Sequence, residues 1–174
     1  MEDFDKLINR LYSSINEDEL INTAYALGDL GDVRAVPHLI QLLDSTESPS
    51  VRNAVAIALH DLGDKRAISA LLRHIKDPKN ITNRGTLVYA LETLDPRSEI
   101  VDLVQLMCDG NYEVMAMVLR VIEGFSQPLT PDNKQKAISV LQKCLAQNQF
   151  EDWKKEFISS AIELLHKCET ELPL

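Results

Sequence analysis

The apolar positions of this chain fall into stripes that recur at a fixed interval. Val36, Leu39, Ile40 and Leu43 stand at i, i+3, i+4 and i+7, as one face of an α-helix requires. Shifted by 32 residues, the set becomes Ile68, Leu71, Leu72 and Ile75; shifted again it becomes Ile100, Leu103, Val104 and Met107, and shifted backwards Phe4, Leu7, Ile8 and Leu11. All twelve shifted positions are apolar in a chain that is 45% hydrophobic, so coincidence is a poor explanation. A second stripe follows the first in every period. Val55, Ala56, Ala58, Leu59 and Leu62 return as Leu87, Val88, Ala90, Leu91 and Leu94, and then as Val118, Leu119, Val121, Ile122 and Phe125. Each period therefore predicts two amphipathic helices. Small side chains at Ala26, Ala58 and Ala90 allow neighbouring helices to approach closely.

Turn residues punctuate the same interval. Gly31 and Gly63 suit the ends of helices, and Asp32, Asp64 and Asp95 suit the starts of the next ones. Asp95-Pro96 and Thr130-Pro131 pair a capping side chain with a proline at the first helical position, where a missing N–H costs nothing. Five helix pairs result, over about 3–30, 33–62, 65–94, 97–125 and 131–167. The last is entered through a longer connection, 126–132. Its stripes are Ala137, Val140, Leu141 and Cys144, then Ile158, Ala161, Ile162 and Leu165.

The repeat also carries a motif. Ala26-Leu27-Gly28-Asp29-Leu30-Gly31-Asp32-Val33-Arg34-Ala35-Val36 returns as Ala58-Leu59-His60-Asp61-Leu62-Gly63-Asp64-Lys65-Arg66-Ala67-Ile68, with Val51-Arg52 opening the helix between them. This string resembles the HEAT-like repeat of phycobilisome lyases and the wider HEAT and armadillo class. The resemblance is strong over 19–75, moderate over 76–125, and reduced to the stripes at both ends. It implies an all-α fold: a right-handed α-α superhelix (solenoid) of about five HEAT-like helical hairpins, one domain over 1–174. It also implies that Arg52 and Arg84 work with Asp32 and Asp64 to lock adjacent units, and that the second helices line a concave binding side.

Charge narrows the partners. The net charge is −9, with no basic block, which argues against nucleic acid and for a protein partner, basic or neutral. No apolar run approaches membrane-spanning length, and the acidic start lacks the features of a secretory signal, so the expected location is cytoplasmic. Cys108, Cys144 and Cys168 are expected as free thiols. No phosphate loop, nucleophile elbow or His-Glu-x-x-His motif occurs, and His38, His60, His74 and His166 stand apart. No catalytic residue, cofactor or metal is assigned. His38 and His74 are expected to face solvent.

The positions that the stripes leave free define the candidate surface. On the second helices these are Tyr25, Ile57, Tyr89, Arg120 and Ser160 in a central row, with Met117 and Phe157 beside it, Tyr112 and Trp153 at the ends, and Asp29 and Asp61 on the outer edge. Large apolar groups at free positions suit a protein-binding face, and a non-catalytic adaptor or immunity-type inhibitor is the expected function. The resemblance admits two alternatives. One is an accessory of bilin attachment; the other is a HEAT-like DNA glycosylase, which the acidic charge and a central row with Arg120 as its one basic group disfavour.

Overall fold

A computed structural model describes residues 3–147 and 149–170. Ten α-helices occur among the described residues: α1 (Phe4–Ser13), α2 (Glu17–Leu30), α3 (Val36–Ser45), α4 (Pro49–Leu62), α5 (Ile68–Lys76), α6 (Gly85–Tyr89), α7 (Ile100–Asp109), α8 (Tyr112–Glu123), α9 (Pro131–Gln147) and α10 (Asp152–Lys167). Short 3₁₀ turns lead into α3, α5 and α7. The chain divides into two compact units, Met1–Leu94 and Asp95–Leu174, the first holding three hairpins and the second two.

In the first unit the stripes are the core. Leu7, Leu27, Leu39, Leu43, Leu59, Leu71, Ile75, Leu87 and Leu91 are all at most 1% exposed. Each buried aliphatic side chain contributes about 1.5–3 kcal/mol over an exposed one. Helices α2 and α4 pack closely because of what they lack. A Cβ built on Gly28 would lie 3.0 Å from the Ala58 Cα, so the small pair sets the spacing. Gly31 and Gly63 close these helices in the left-handed region, at φ 70° and 62°, a conformation costly for any residue with a Cβ.

Helix starts follow a second 32-residue rhythm. The side chains of Asn16 and Ser48 accept the backbone N–H of Glu19 and Val51 and open α2 and α4. Asn80 stands at the equivalent place in the third hairpin but does not cap. It is buried, its amide nitrogen donates to the His74 carbonyl at 2.8 Å, and its oxygen accepts from Arg52. Without that cap the next α-helix begins only at Gly85 and lasts to Tyr89, and 90–94 continue as tight i to i+3 turns. The expected second helix of the third pair is thus mostly turn.

The turn aspartates also divide. Asp32 and Asp64 accept the N–H of Arg34 and Arg66 at 2.9 Å and open 3₁₀ turns. Asp95 does not cap; it takes φ 52°, and Pro96 precedes the turn Arg97–Glu99 instead. The inter-unit lock implied by the resemblance is corrected here. Asp32 and Asp64 pair with Arg34 and Arg66, two residues on in the same turn, because the capping geometry already brings those guanidinium groups back onto the carboxylates. Arg66 then reaches the Val33 carbonyl at 2.9 Å and, together with Arg52, ties the second hairpin to the third. Arg52 turns to Asn80, Asn53 and the Asn83 carbonyl. Arg84 is buried with its Nη1 3.5 Å from the Ile75 carbonyl.

The second unit packs Leu103, Val104, Met107, Val118, Leu141, Ile158 and Leu165 to full burial. Asn111 caps α8, and Thr130 accepts the Asn133 N–H beside Pro131 at the start of α9. The connection into α9 is fastened to the end of α10. Leu129 donates its N–H to the Glu169 carbonyl at 3.0 Å, and Lys134 donates to the carbonyls of His166 and Cys168.

Candidate functional site

In the first unit the free positions lie on α2, α4 and α6. Tyr25 is 38% exposed, Ile57 and Tyr89 are half-buried, and Asp29 and Asp61 are exposed. The small residues that bring α2 against α4 also place the Asp61 carboxylate over Gly28, where a Cβ would meet it at 3.3 Å. Tyr89 does not stand alone. Its ring stacks on His60 with centroids 4.4 Å apart and planes 21° from parallel. Thr93 donates its hydroxyl to the His60 carbonyl at 2.6 Å, fixing the end of α4 against the turns after α6. The His60 Nδ1 is buried with no hydrogen-bond partner among the described residues.

In the second unit three of the candidates form one cluster. Tyr112, at the start of α8, meets Phe157 edge-on at 5.1 Å and Trp153 at 5.9 Å; Trp153 and Phe157 meet edge-on at 6.1 Å. Edge-to-face contacts of this kind contribute about 0.5–1.5 kcal/mol beyond burial. Tyr112 remains 63% exposed, so the cluster shows one aromatic face to solvent. Further along α8, Met117 is half-buried and Arg120 is exposed.

Further aromatic groups lie outside the candidate set. Tyr12, 53% exposed on α1, hydrogen-bonds His38 Nδ1 and the Gln41 side chain, each at 2.8 Å. Arg34 lies over the Phe4 ring, 4.3 Å from its centroid. These contacts join α1 to α3 and to the turn before it, and their sequence signal was Phe4 and Tyr12 on one first helix and His38 on the next.

The expectation that His38 and His74 face solvent is corrected. His38 is half-buried against Tyr12. His74 is buried, with Nε2 2.8 Å from Asp44 Oδ1, because it lies one turn beyond Leu71 at the edge of the apolar stripe. Burial alone would push the Asp44 carboxyl up. Hydrogen bonds from His74 and Arg73 outweigh it and hold the pKa below the ordinary value. Hydrogen bonds from Arg34 and Arg66 likewise lower Asp32 and Asp64.

All three cysteines are free thiols. Burial first, then neighbouring Cys144, pushes the Cys108 thiol up to about 12, so it stays protonated and unreactive near neutral pH. Among the described residues no three His, Cys, Asp or Glu side chains gather as a metal site, and no helix is long and apolar enough to cross a membrane.

The comparisons with known proteins bear on the repeat. The family described as HEAT repeats matches residues 4–92. No curated protein matches the chain. Among solved structures, a designed armadillo repeat protein is similar at 14% identity, with 94% of this chain and 100% of that one covered and a TM-score of 0.38. The family match takes in α1 to α6 and slightly more than half of the 174 residues. The chain belongs to the HEAT repeat family.

Proposed function

We propose that this protein is a non-catalytic binding module, of the adaptor or inhibitor type, that receives a protein partner on the exposed side of its second helices. One observation supports the reading above the rest. Tyr25 and Tyr112 hold large side chains 38% and 63% exposed at helical positions that the cores do not use. Single exposed apolar groups are ordinary. These are accompanied by Ile57 and the Tyr89–His60 stack in one unit and by Trp153 and Phe157 in the other. Tyrosine and tryptophan are the residues that most often carry binding energy at interfaces.

Charge favours a basic partner. Asp29 and Asp61 flank the first patch, and exposed Glu113 and Glu156 adjoin Tyr112 and Phe157 in sequence. With a net charge of −9, the protein would draw a cationic surface by long-range attraction and repel an anionic one. Family membership supports recognition in the same direction, since stacked helical repeats present extended binding surfaces.

The test compares recovery of partners from the native host by Tyr25→Ala/Tyr112→Ala and by Ser69→Ala/Gln105→Ala, exposed positions on first helices. A partner retained by wild type and the control but lost by the tyrosine variant is the expected result. Equal recovery by both variants, each folded by circular dichroism, would remove the proposed face.

A further inference from the structure

We propose that the first unit carries an oxyanion pocket at the start of α4, apart from the second-helix surface, and that its ligand is a phosphate group. The pocket is a cavity of about 180 Å³ where the 46–49 connection meets His74 and the 79–83 segment.

Its wall holds a positive charge that the protein does not neutralise. Arg52 lines the cavity and is 7% exposed. Its bonds go to neutral oxygens: Nε and Nη2 to Asn53 Oδ1, Nη2 to the Asn83 carbonyl, and Nη1 to Asn80 Oδ1. A guanidinium has five N–H donors. Four are engaged, and the fifth, on Nη1, has no acceptor among the described residues. Burial lowers the Arg52 pKa and no neighbouring anion opposes it. Buried charges in proteins are ordinarily paired, because an isolated one is costly to desolvate.

A second cation stands at the same cavity. Lys79 is half-exposed, and its ammonium lies 3.7 Å from Glu47 and 3.9 Å from Asp77, beyond good hydrogen-bond range. His74 forms part of the wall, with Nε2 engaged by Asp44. The N-terminus of the 14-residue α4 opens onto the cavity through Ser48 and Pro49, adding the positive end of the helix dipole. Glu47 and Asp77 are the opposing charges at Lys79, and Glu17 accepts the Ser48 hydroxyl at 2.8 Å. The Glu47 carboxylate is 88% exposed on the rim, so a ligand displaces it from Lys79 towards water at little cost. Arg52, Lys79 and Thr46 all line the cavity and bring N–H and O–H donors to it. A tetrahedral group with several acceptor oxygens meets such donors better than a planar carboxylate.

The experiment titrates the full chain with inorganic phosphate at constant ionic strength, read by ¹⁵N–¹H correlation spectra, with acetate and chloride as parallel arms. Saturable shifts confined to the amides of 50–53 and 79–83 are expected with phosphate, with weaker effects from acetate. Lys79→Gln, an exposed change that leaves the core intact, should weaken phosphate binding about tenfold. Glu47→Gln should strengthen it. The proposal is overturned by the absence of saturable shifts at those amides, by equal shifts with chloride, or by unchanged affinity in Lys79→Gln. Acetate binding as tightly as phosphate would overturn the choice of ligand.

Discussion

Replacing Arg52 by Met tests how the third hairpin is held. Methionine keeps the apolar stem and removes all four hydrogen bonds of the guanidinium. Asn53 is half-buried and Asn83 exposed, so both can turn to water. Asn80 cannot: it is 3% exposed, and rotating its amide would sacrifice the bond to the His74 carbonyl. Its stranded oxygen costs about 1–3 kcal/mol. Shedding a desolvated charge returns part of this, as replacements of buried ions by apolar groups have shown. The net expectation is a loss of about 2 kcal/mol, larger than the scatter of surface substitutions. At an m-value of about 2 kcal/mol/M, the urea midpoint falls by about 1 M with unchanged slope. Hydrogen exchange should quicken first over 80–94, where α6 is short and uncapped. Arg52→Met/Asn80→Leu removes the stranded oxygen as well and should recover part of the loss. An Arg52→Met protein as stable as wild type, or a double variant no better than the single one, would refute the reasoning.

Four further outcomes are expected. Leu59→Ala, at a fully buried position, should cost about 2–5 kcal/mol in chemical denaturation; Ile57→Ala, two residues away and half-buried, should cost clearly less. Gly63→Ala should lose about 1–2 kcal/mol although open space surrounds the position, because φ 62° is unfavourable for alanine. Asp44 has a lowered pKa in the folded state, so its contribution is present above the unfolded value of 3.8 and is lost as pH falls through the folded one. Wild type should therefore lose more stability on acidification than Asp44→Asn, as thermal melts across that window would show. Cys108 should alkylate far more slowly than free cysteine near pH 7, measured by peptide mass spectrometry, since its thiol lies at about 12.

The helical stripes were legible because burial on one helix face imposes a period on the sequence itself. Leu39, Leu71 and Leu103 are equivalent in the repeat and all fully buried. What escaped was what single residues do when they leave the pattern. Asn80 stands where Asn16 and Ser48 cap helices, yet it is taken up by Arg52 and His74, so the following helix is cut short. That choice depends on a contact 28 residues away in sequence, which local pattern cannot register. His74 read as a surface residue because histidine is polar; its burial depends on Asp44, 30 residues earlier. Among the surface candidates, the positions of Tyr25 and Tyr112 followed from the register, because a residue off the stripe points away from the core. The stacking of Tyr89 on His60 and the meeting of Tyr112 with Phe157 did not, since both depend on how neighbouring helices approach each other.

The most direct test of the binding account is photo-crosslinking from single positions on the two kinds of helix. A photoreactive residue at Tyr25, Ile57 or Tyr112 is compared with one at Ser69, Arg73 or Gln105, each protein being exposed to the same native extract. The account predicts one recurrent protein adduct from the second-helix positions and none from the first-helix positions. Adducts formed equally from both sets, or only from Ser69, Arg73 and Gln105, would contradict it.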